Sequence, residues 1–273
     1  MSGFLDIFEF MPVWQKAATV AITLGACFLL ERWVPLFQLN YNKVNHGIIN
    51  LFFFLGISVI NIGFGFVLIK GLWFFEQFEL GLLFWFNPPV WCKVVISVLI
   101  LDLVAQYAVH YCLHRFRWMW KFHKIHHSDT HLDATSGTRH HPGDYLIREI
   151  FSFFTLVIMG IPVSHYFLYR FLTIIFTYTT HANITVPDRL NRILSLIFVT
   201  PDLHKIHHHF QFPWTDRNYG NIFSIWDRIF STLVQDSPQK VQYGLDEVGD
   251  QFTDGIRQLL VMPWVKEGRK LED

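Results

Sequence analysis

Charged residues are scarce in this chain of 273 residues, where they make up 16% of the composition. A soluble domain carries about 25% charged residues, so too few are present here to cover a globular surface. Hydrophobic residues make up 52% and aromatic residues 18%. Much of the surface is therefore predicted to face lipid. The 22 basic and 22 acidic residues cancel, so no excess of positive charge favours nucleic acid as a partner.

Several motifs that would indicate other functions are also missing. The three cysteines, Cys27, Cys92 and Cys112, form no CxxC pair, so disulfide bridges and zinc knuckles are not expected. The chain has no HExxH zinc-protease motif, no GxSxG nucleophile elbow and no phosphate-binding loop. It also lacks a GxGxxG after a strand, the fingerprint of a flavin or nicotinamide site. A redox enzyme built from this chain would have to take its electrons from another protein.

Three nearly uncharged runs are long enough to cross a bilayer, which takes about 20 apolar residues in a helix. They lie at about 13–30, 48–69 and 90–109. A further apolar stretch covers 150–180, and we expect Gly160-Ile161-Pro162 to form the tip of a helical hairpin within it. Each arm of that hairpin would be short for a full crossing. The alternative is one long span followed by a buried core helix.

We predict an all-α membrane protein with four or five transmembrane or re-entrant helices and a cytosolic, histidine-rich metal-binding cap. Basic residues crowd the segments after the third span and after the hairpin, and such residues mark the cytosolic side. The protein would be integral and multi-pass, in the endoplasmic reticulum of a eukaryote or the inner membrane of a bacterium, with its active site facing the cytosol. We expect a single membrane-bound domain with an N-terminal transmembrane region at 1–93, a catalytic region with the histidine motifs at 94–235, and a cytosolic C-terminal tail at 236–273.

Histidines are concentrated in one part of the chain, since fourteen of the fifteen lie between positions 110 and 209. His110 and His114 form an HxxxH pair that continues the third span, and a spacing of four puts both rings on one helix face. HxxHH occurs twice, at 123–127 and 204–208, and each copy should ride a short helix that presents three imidazoles. Imidazole nitrogen binds first-row metals well, and eight rings suit two ions rather than one.

These motifs, with the phrases around them, resemble the fatty acid hydroxylase superfamily and, within it, the sterol desaturase branch. The resemblance is tight from about Asp102 to Thr232 and extends to the earlier spans by hydropathy alone. Besides the histidine motifs it includes Arg139-His140-His141-Pro142, His181-Ala182-Asn183-Ile184, Asn218-Tyr219-Gly220 and Trp226-Asp227-Arg228.

The resemblance implies a non-haem centre of two iron ions, Fe2+ or Fe3+, that uses O2 as co-substrate to hydroxylate or desaturate a lipid. Electrons would come from an external donor protein, cytochrome b5-like or ferredoxin-like, with its reductase. Carried over by position, the metal ligands implied are His110, His114, His123, His126, His127, His141, His181, His204, His207 and His208.

The other histidines are not expected to bind the metal. His131, His140 and His209 are neighbours of the motifs, and we interpret each of them as a polar surface residue. His46 lies in what we predict to be an early loop, and His165 lies near the predicted hairpin tip, away from the cluster.

Asp102 is notable because a carboxylate inside a span is costly and usually functional. It could orient a histidine of another segment, such as His141 or His181, by accepting a hydrogen bond from its ring. Alternatively, it could make a polar contact between helices. Asn183 and Asn218 could also form hydrogen bonds at the site.

The predicted reaction is oxidation of an unactivated C–H bond in a lipid. Hydroxylation is favoured, and desaturation remains an alternative because the same ligand set serves both. A histidine-rich metal transporter or sensor is the hypothesis from another class, but it would place its ligands along a pathway inside the membrane. The substrate stays open between a sterol, a fatty acyl chain, an ether lipid and a carotenoid.

Overall fold

The computed structural model describes residues 2–211, 214–245 and 255–265. Within those residues the chain is helical, and pairing between extended segments is limited to two isolated bridges. The predicted all-α class is therefore confirmed, together with a histidine-rich cluster and apolar helices long enough to cross a membrane.

The N-terminal part of the chain supplies the long apolar helices. Its helices are α1 (Ser2–Glu9), α2 (Val13–Trp33), α3 (Lys43–Gln77), α4 (Leu82–Trp85), α5 (Val90–Leu101) and α6 (Val109–Arg115). A π-helical stretch, Asp102–Ala108, joins α5 to α6 without a break. Among the described residues, three segments have the length and hydropathy of a membrane span: Val13–Trp33, Lys43–Trp85 and Val90–Arg115.

The C-terminal part carries the hairpin and the shorter helices of the cap. Its α-helices are α7 (Arg117–His127), α8 (Pro142–Met159), α9 (Val163–His181), α10 (Asp188–Leu194), α11 (Pro201–His207), α12 (Ile225–Ile229) and α13 (Ile256–Val261). Single 3-10 turns occur at Ala134–Thr138, Pro238–Lys240 and Met262–Trp264.

The predicted break at Gly160-Ile161-Pro162 is confirmed, since it separates α8 from α9. Gly160 ends α8 in the left-handed region, with φ of 66°, where a side chain would be strained. A Cβ at this position would also lie 2.6 Å from the carbonyl oxygen of Leu80. Glycine is therefore required where the turn meets the chain before α4. The alternative of one long span followed by a buried core helix is wrong, because the chain breaks at this turn and α9 then runs without interruption to His181.

Apolar packing between α3, α5, α8 and α9 fixes the position of the continuous helix that runs from α5 to α6 and carries the HxxxH motif. Leu68 of α3, Leu101 of α5, Leu156 of α8 and Tyr169 of α9 are all at most 1% exposed in one cluster. Long side chains on four helices interdigitate at this point, which leaves α5 little freedom to rotate. The position of α6, and with it that of His110, is set by this packing.

Asp102 makes a polar contact between the span and the cap rather than orienting a histidine. Its buried carboxylate accepts hydrogen bonds from the backbone N–H groups of Ile222 (3.2 Å) and Phe223 (3.1 Å) and from the indole N–H of Trp226 (3.0 Å). The hypothesis that it supports His141 or His181 is wrong, because its carboxylate is already committed to these three donors. Asp102 instead ties the chain before α12 to the side of the third span.

The prediction that His46 lies in an early loop is wrong. It lies in the first turn of α3, where it is buried. Its Nε2 lies 2.9 Å from Oδ1 of Asp129 and its Nδ1 lies 3.1 Å from Oδ2 of Asp133. These contacts join the start of α3 to the chain that follows α7. His165 lies near the turn before α9, as expected, with its Nδ1 3.1 Å from the hydroxyl of Ser97.

Part of the predicted C-terminal tail packs against the core. Leu259 and Met262 are at most 1% exposed and lie in a cluster with Ile49 and Phe53 of α3 and Ile125 of α7. Residues 255–265 therefore cover the outer side of α7. The remainder of the tail, at 246–254 and 266–273, lies outside the described residues.

Candidate metal centre

Nine histidines converge where α6, α7, α9 and α11 meet, and they form two groups. Within each group one nitrogen of every ring lies within 4.8 Å of the others. Group one consists of His110, His114, His123, His127 and His207, and group two consists of His126, His181, His204 and His208. All of them except the partly buried His114 are fully buried.

Each HxxHH motif contributes to both groups. On α7, His123 and His127 turn toward group one while His126 turns toward group two. In the second motif His207 belongs to group one, and His204 and His208 belong to group two. The prediction that both motifs ride short helices is confirmed by α7 and α11. Because α7 and α11 each contribute rings to both groups, the two groups lie side by side.

Oxygen acceptors around the groups fix the tautomers of five rings. An Nδ1 that faces a carbonyl or carboxylate oxygen must carry the proton, which leaves a lone pair on Nε2. The Nδ1 partners are Tyr219 O for His110 (2.8 Å), Asp216 Oδ1 for His114 (2.9 Å), Asp144 Oδ2 for His123 (3.0 Å), Thr177 O for His181 (2.7 Å) and Arg217 O for His207 (2.6 Å). Five Nε2 lone pairs are thereby directed inward.

Some of these lone pairs point directly at each other. Nε2 of His110 lies 3.0 Å from Nε2 of His123, although both of these nitrogens are unprotonated. In group two, the inward lone pair on Nε2 of His181 lies 3.0 Å from Nε2 of His204 and 3.2 Å from Nε2 of His126, two rings whose tautomers no oxygen acceptor fixes. Two nitrogens that bind one ion at about 2.1 Å and at right angles would lie about 3 Å apart. A cation between the rings therefore fits the spacing and removes the repulsion.

Buried ring nitrogens that lack a hydrogen-bond partner support the same conclusion. A buried polar atom left unsatisfied costs about 1–3 kcal/mol, so several at one place need an explanation. Among the described residues, such nitrogens include Nε2 of His114, Nε2 of His207 and both nitrogens of His127. The donor set is imidazole throughout, which suits a first-row transition metal. The residues present therefore fit the binding of metal ions.

Burial keeps the cap histidines neutral, as metal ligands must be. It lowers the pKa of His123 to about 3, although the neighbouring Asp144 carboxylate acts in the opposite direction. Burial, reinforced by repulsion between neighbouring rings, also holds the pKa of several others well below its usual range. These are His126, His127, His204, His207 and His208.

Asp144 and Asp216, which orient His123 and His114, are residues of this site that sequence reasoning missed. The buried carboxylate of Asp144 accepts hydrogen bonds from Nδ1 of His123 (3.0 Å), Nδ1 of His140 (2.7 Å) and Nε of Arg148 (3.0 Å). His123, His140 and Asp144 are close enough to hold an ion, but these hydrogen bonds already account for their contacts. The only sequence signal for Asp144 was an acid in the first turn of a helix, which ordinarily indicates favourable interaction with the helix dipole.

His141 was predicted to be a metal ligand and His140 to be a surface residue, but His140 is the one that faces the histidine groups. His140 stacks on His126 with ring centroids 4.1 Å apart, so it is not a solvated surface residue. His141 joins neither group, because it caps α8 by accepting a hydrogen bond from the N–H of Gly143 (3.0 Å). Its ring packs against Phe122, with centroids 5.1 Å apart, and away from the other histidines.

The remaining polar residues of the motifs brace the backbone. Asn218, at φ of 53°, donates to the carbonyl of Leu203 (2.9 Å) and accepts from the N–H of Val234 (2.7 Å). Asn183 exchanges hydrogen bonds with the backbone of Phe37. Both asparagines therefore position loops around the cap rather than contacting a ring of the two groups.

His131 and His209 lie at the edge of the cap, as expected. The ring of His131 stacks on that of Tyr41, and its Nδ1 lies 2.9 Å from the hydroxyl of Thr130. The ring of His209 stacks on that of Trp214. Neither is a member of a histidine group among the described residues.

Comparisons with known proteins agree with the site. The family model described as fatty acid hydroxylase matches residues 94–232. Ornithine lipid hydroxylase OlsE of Rhizobium tropici is 28% identical over 67% of this chain, and human alkylglycerol monooxygenase is 27% identical over 64%. Rat methylsterol monooxygenase 1 is 28% identical over 62%. The matched segments cover 53%, 37% and 57% of these relatives' own lengths. No solved structure matches the chain significantly.

Proposed function

The chain belongs to the fatty acid hydroxylase family, and from this premise we propose that it is a membrane-bound, O2-dependent oxidoreductase that hydroxylates a C–H bond of a lipid. The observation that carries the proposal is the pair of adjacent histidine groups, whose inward lone pairs suit two metal ions. The relatives' names, an ornithine lipid hydroxylase, an alkylglycerol monooxygenase and a methylsterol monooxygenase, favour hydroxylation over desaturation.

We assign one iron ion to each group. His110, His114, His123, His127 and His207 would hold the first, and His126, His181, His204 and His208 the second. The iron pair would supply the activation of O2 that oxidation of an unactivated C–H bond needs. His141 is left out of the ligand set because its ring caps α8.

The chain's own residues orient the ligands and keep water away. Asp144 and Asp216 hold the protons of His123 and His114 on Nδ1, so that Nε2 is free to bind the metal. The full burial of eight of the nine rings excludes bulk water from the space between the groups. Residues 94–235 would constitute the catalytic region.

Electrons would come from an external redox protein, cytochrome b5-like or ferredoxin-like, with its reductase. The basic residues that follow the third span favour a cytosolic position for the cap. A metal transporter is not favoured, because the two groups form one closed cluster at the end of a span rather than a row along it.

The test is lipid analysis of a host with and without the gene, using a matched inactive variant. Wild-type protein should produce a lipid that has gained one oxygen atom, and His204→Ala/His207→Ala, expressed to the same membrane level, should not. A product that has lost two hydrogens instead would identify a desaturase. An unchanged lipid profile in a host that supplies donor protein and iron would contradict the proposal.

A further inference from the structure

An exposed apolar surface lies outside the three candidate spans, on the cap itself. It is formed by α10, the turn after it and the end of α12, and we call it the cap apron. Its apolar side chains are 38% to 64% exposed, which is unusual for so many neighbours. They are Leu190, Ile193, Leu194, Leu196, Ile197, Ile229 and Phe230.

The two parts of the cap apron are joined by hydrogen bonds into one surface. The carbonyl of Ser195 accepts from the hydroxyl of Ser224 (2.7 Å) and from the guanidinium of Arg228 (2.9 Å). The N–H of Ser224 donates to the carbonyl of Ile197 (2.9 Å). The side chains after α10 and those at the end of α12 therefore belong to a contiguous patch.

The position of the cap apron along the third span indicates membrane depth. Asp102, whose carboxylate binds the backbone of Ile222 and Phe223, lies thirteen residues before Arg115, where that span ends. At a rise of at most 1.5 Å per residue this is at most about 20 Å below the end of the helix, and at most about 12 Å below His110. Because the hydrocarbon core is about 30 Å thick, the chain that leads into α12 lies beside the upper part of the span.

Backbone N–H groups in the irregular chain beneath the cap apron have hydrogen-bond partners within the protein, as a lipid environment requires. Unpaired N–H and C=O groups are not tolerated where lipid replaces water. Here the N–H groups of Ile222 and Phe223 donate to Asp102, and the N–H of Val199 donates to the carbonyl of Ile222 (2.9 Å). The backbone beneath the cap apron is therefore compatible with a lipid environment.

The charges around the cap apron complement lipid headgroups. Arg189, Arg192 and Arg228 are exposed among the apolar side chains, and Asp188 is the acid at the start of α10. An apolar face rimmed by arginine is typical of segments that lie in the interfacial layer of an anionic membrane.

We propose that the cap apron is embedded in the headgroup and upper acyl layer of the bilayer beside the third span, with its arginines on lipid phosphates. The cap is then not a wholly cytosolic body above the membrane. It holds the histidine groups at a fixed height over the lipid, so that a chain leaving the bilayer reaches them without crossing water.

The test is depth-dependent fluorescence quenching in lipid nanodiscs that contain anionic lipid. Cysteines introduced one at a time, as Leu194→Cys or Ile229→Cys, would carry an environment-sensitive nitrobenzoxadiazole probe. The background is Cys92→Ser/Cys112→Ser, and the buried Cys27 is kept. Ile62→Cys, a position 77% exposed in the middle of α3, is the lipid control. Lys240→Cys, whose native side chain is 72% exposed on the cap, is the water control.

Both cap-apron probes should be quenched several-fold more strongly by a nitroxide near the headgroup than is the probe at position 240, and aqueous iodide should quench them several-fold less. Arg189→Glu/Arg192→Glu should reduce the nitroxide quenching at position 194. Iodide quenching equal to that at position 240 would overturn the proposal. Protection from both quenchers would also overturn it, because a second protein copy would then cover the surface. Absence of lipid quenching at position 62 would instead contradict the membrane fold itself.

Discussion

At the scale of single residues, the site is defined by which nitrogen of each ring carries the proton. The outer oxygens on five Nδ1 atoms leave inward lone pairs on Nε2, and those of His110 and His123 would repel each other at 3.0 Å unless a cation lies between them. A hydrogen bond between these two rings cannot resolve this, because both of the facing nitrogens are acceptors. The arrangement of the histidine groups therefore suits metal ions better than a hydrogen-bonded core.

Removing a ligand from either group should abolish turnover, because oxidation needs both ions. His207→Ala, from group one, and His204→Ala, from group two, should each lower bound iron from about two ions per chain toward one. Metal analysis of protein purified in mild detergent measures this. His165→Ala is the matched control, since that buried histidine lies near the turn before α9. Equal iron loss in the control would indicate misfolding rather than ligand loss.

Asp144→Asn should weaken iron binding by about 10–100-fold, because the amide no longer fixes the His123 tautomer as a carboxylate does. Competition with a chelator measures the affinity, and Asp236→Asn, a change at a partly exposed acid on the cap, is the control. An affinity within twofold of wild type (about 0.4 kcal/mol) would show that Asp144 only packs against the ring.

Acid should destabilise the metal-free protein. An unfolded histidine has a pKa of about 6.5, whereas burial lowers that of His123 to about 3. Between these values the unfolded chain binds a proton that the folded protein does not, so the free energy of unfolding falls as the pH falls. Thermal unfolding in detergent from about pH 7 to about pH 4 should show a falling midpoint. A flat midpoint would mean that the rings are already open to water.

Nine of the ten ligands predicted from the sequence lie in the two histidine groups, and His141 is the exception. The sequence did not predict the exchange of His140 and His141. Two adjacent histidines before a proline look alike in sequence, and the backbone of the cap residue decides which one turns inward. Asp144 and Asp216 also escaped prediction, since the metal-ligand candidates that they orient, His123 and His114, lie on other segments of the chain.

At the scale of elements, the third span does more than cross the membrane. Its π-helical stretch, Asp102–Ala108, changes the helical phase just before His110, and such stretches often mark functional sites. Asp102 at its start binds the chain before α12, and Gln106 in its middle accepts from Arg148 of α8 (3.1 Å). The apolar run predicted the helix, and the carboxylate inside it drew attention to Asp102. The sequence could not predict the partners, which come from positions more than 40 residues away.

Asp102→Asn should destabilise the fold more than it affects the metal. The asparagine amide would place N–H groups against backbone donors, and each buried group left unpaired costs about 1–3 kcal/mol. Unfolding in detergent should report a loss of that order, while iron affinity measured on the folded fraction should change less than in Asp144→Asn. A large loss of iron affinity at unchanged stability would revive the idea that Asp102 orients a ligand.

At the scale of the whole molecule, the third span connects the apolar helices to the histidine groups at its end and to the cap apron at its side. The hydropathy of the chain predicted the spans, and three of them have the necessary length. The cap apron escaped prediction because its apolar residues are split between α10 and α12, which are more than 30 positions apart. Neither piece alone is long enough to resemble a membrane segment.

The measurement that tests the central claim most directly uses isotopically labelled oxygen. Purified protein in nanodiscs, loaded with iron and supplied with a reduced one-electron donor, would be exposed to heavy O2 and to the lipid identified by profiling. Mass spectrometry should find one heavy oxygen atom in the hydroxylated lipid, and none with His204→Ala/His207→Ala. A product whose new oxygen comes from water, or one formed equally by the variant, would contradict the account.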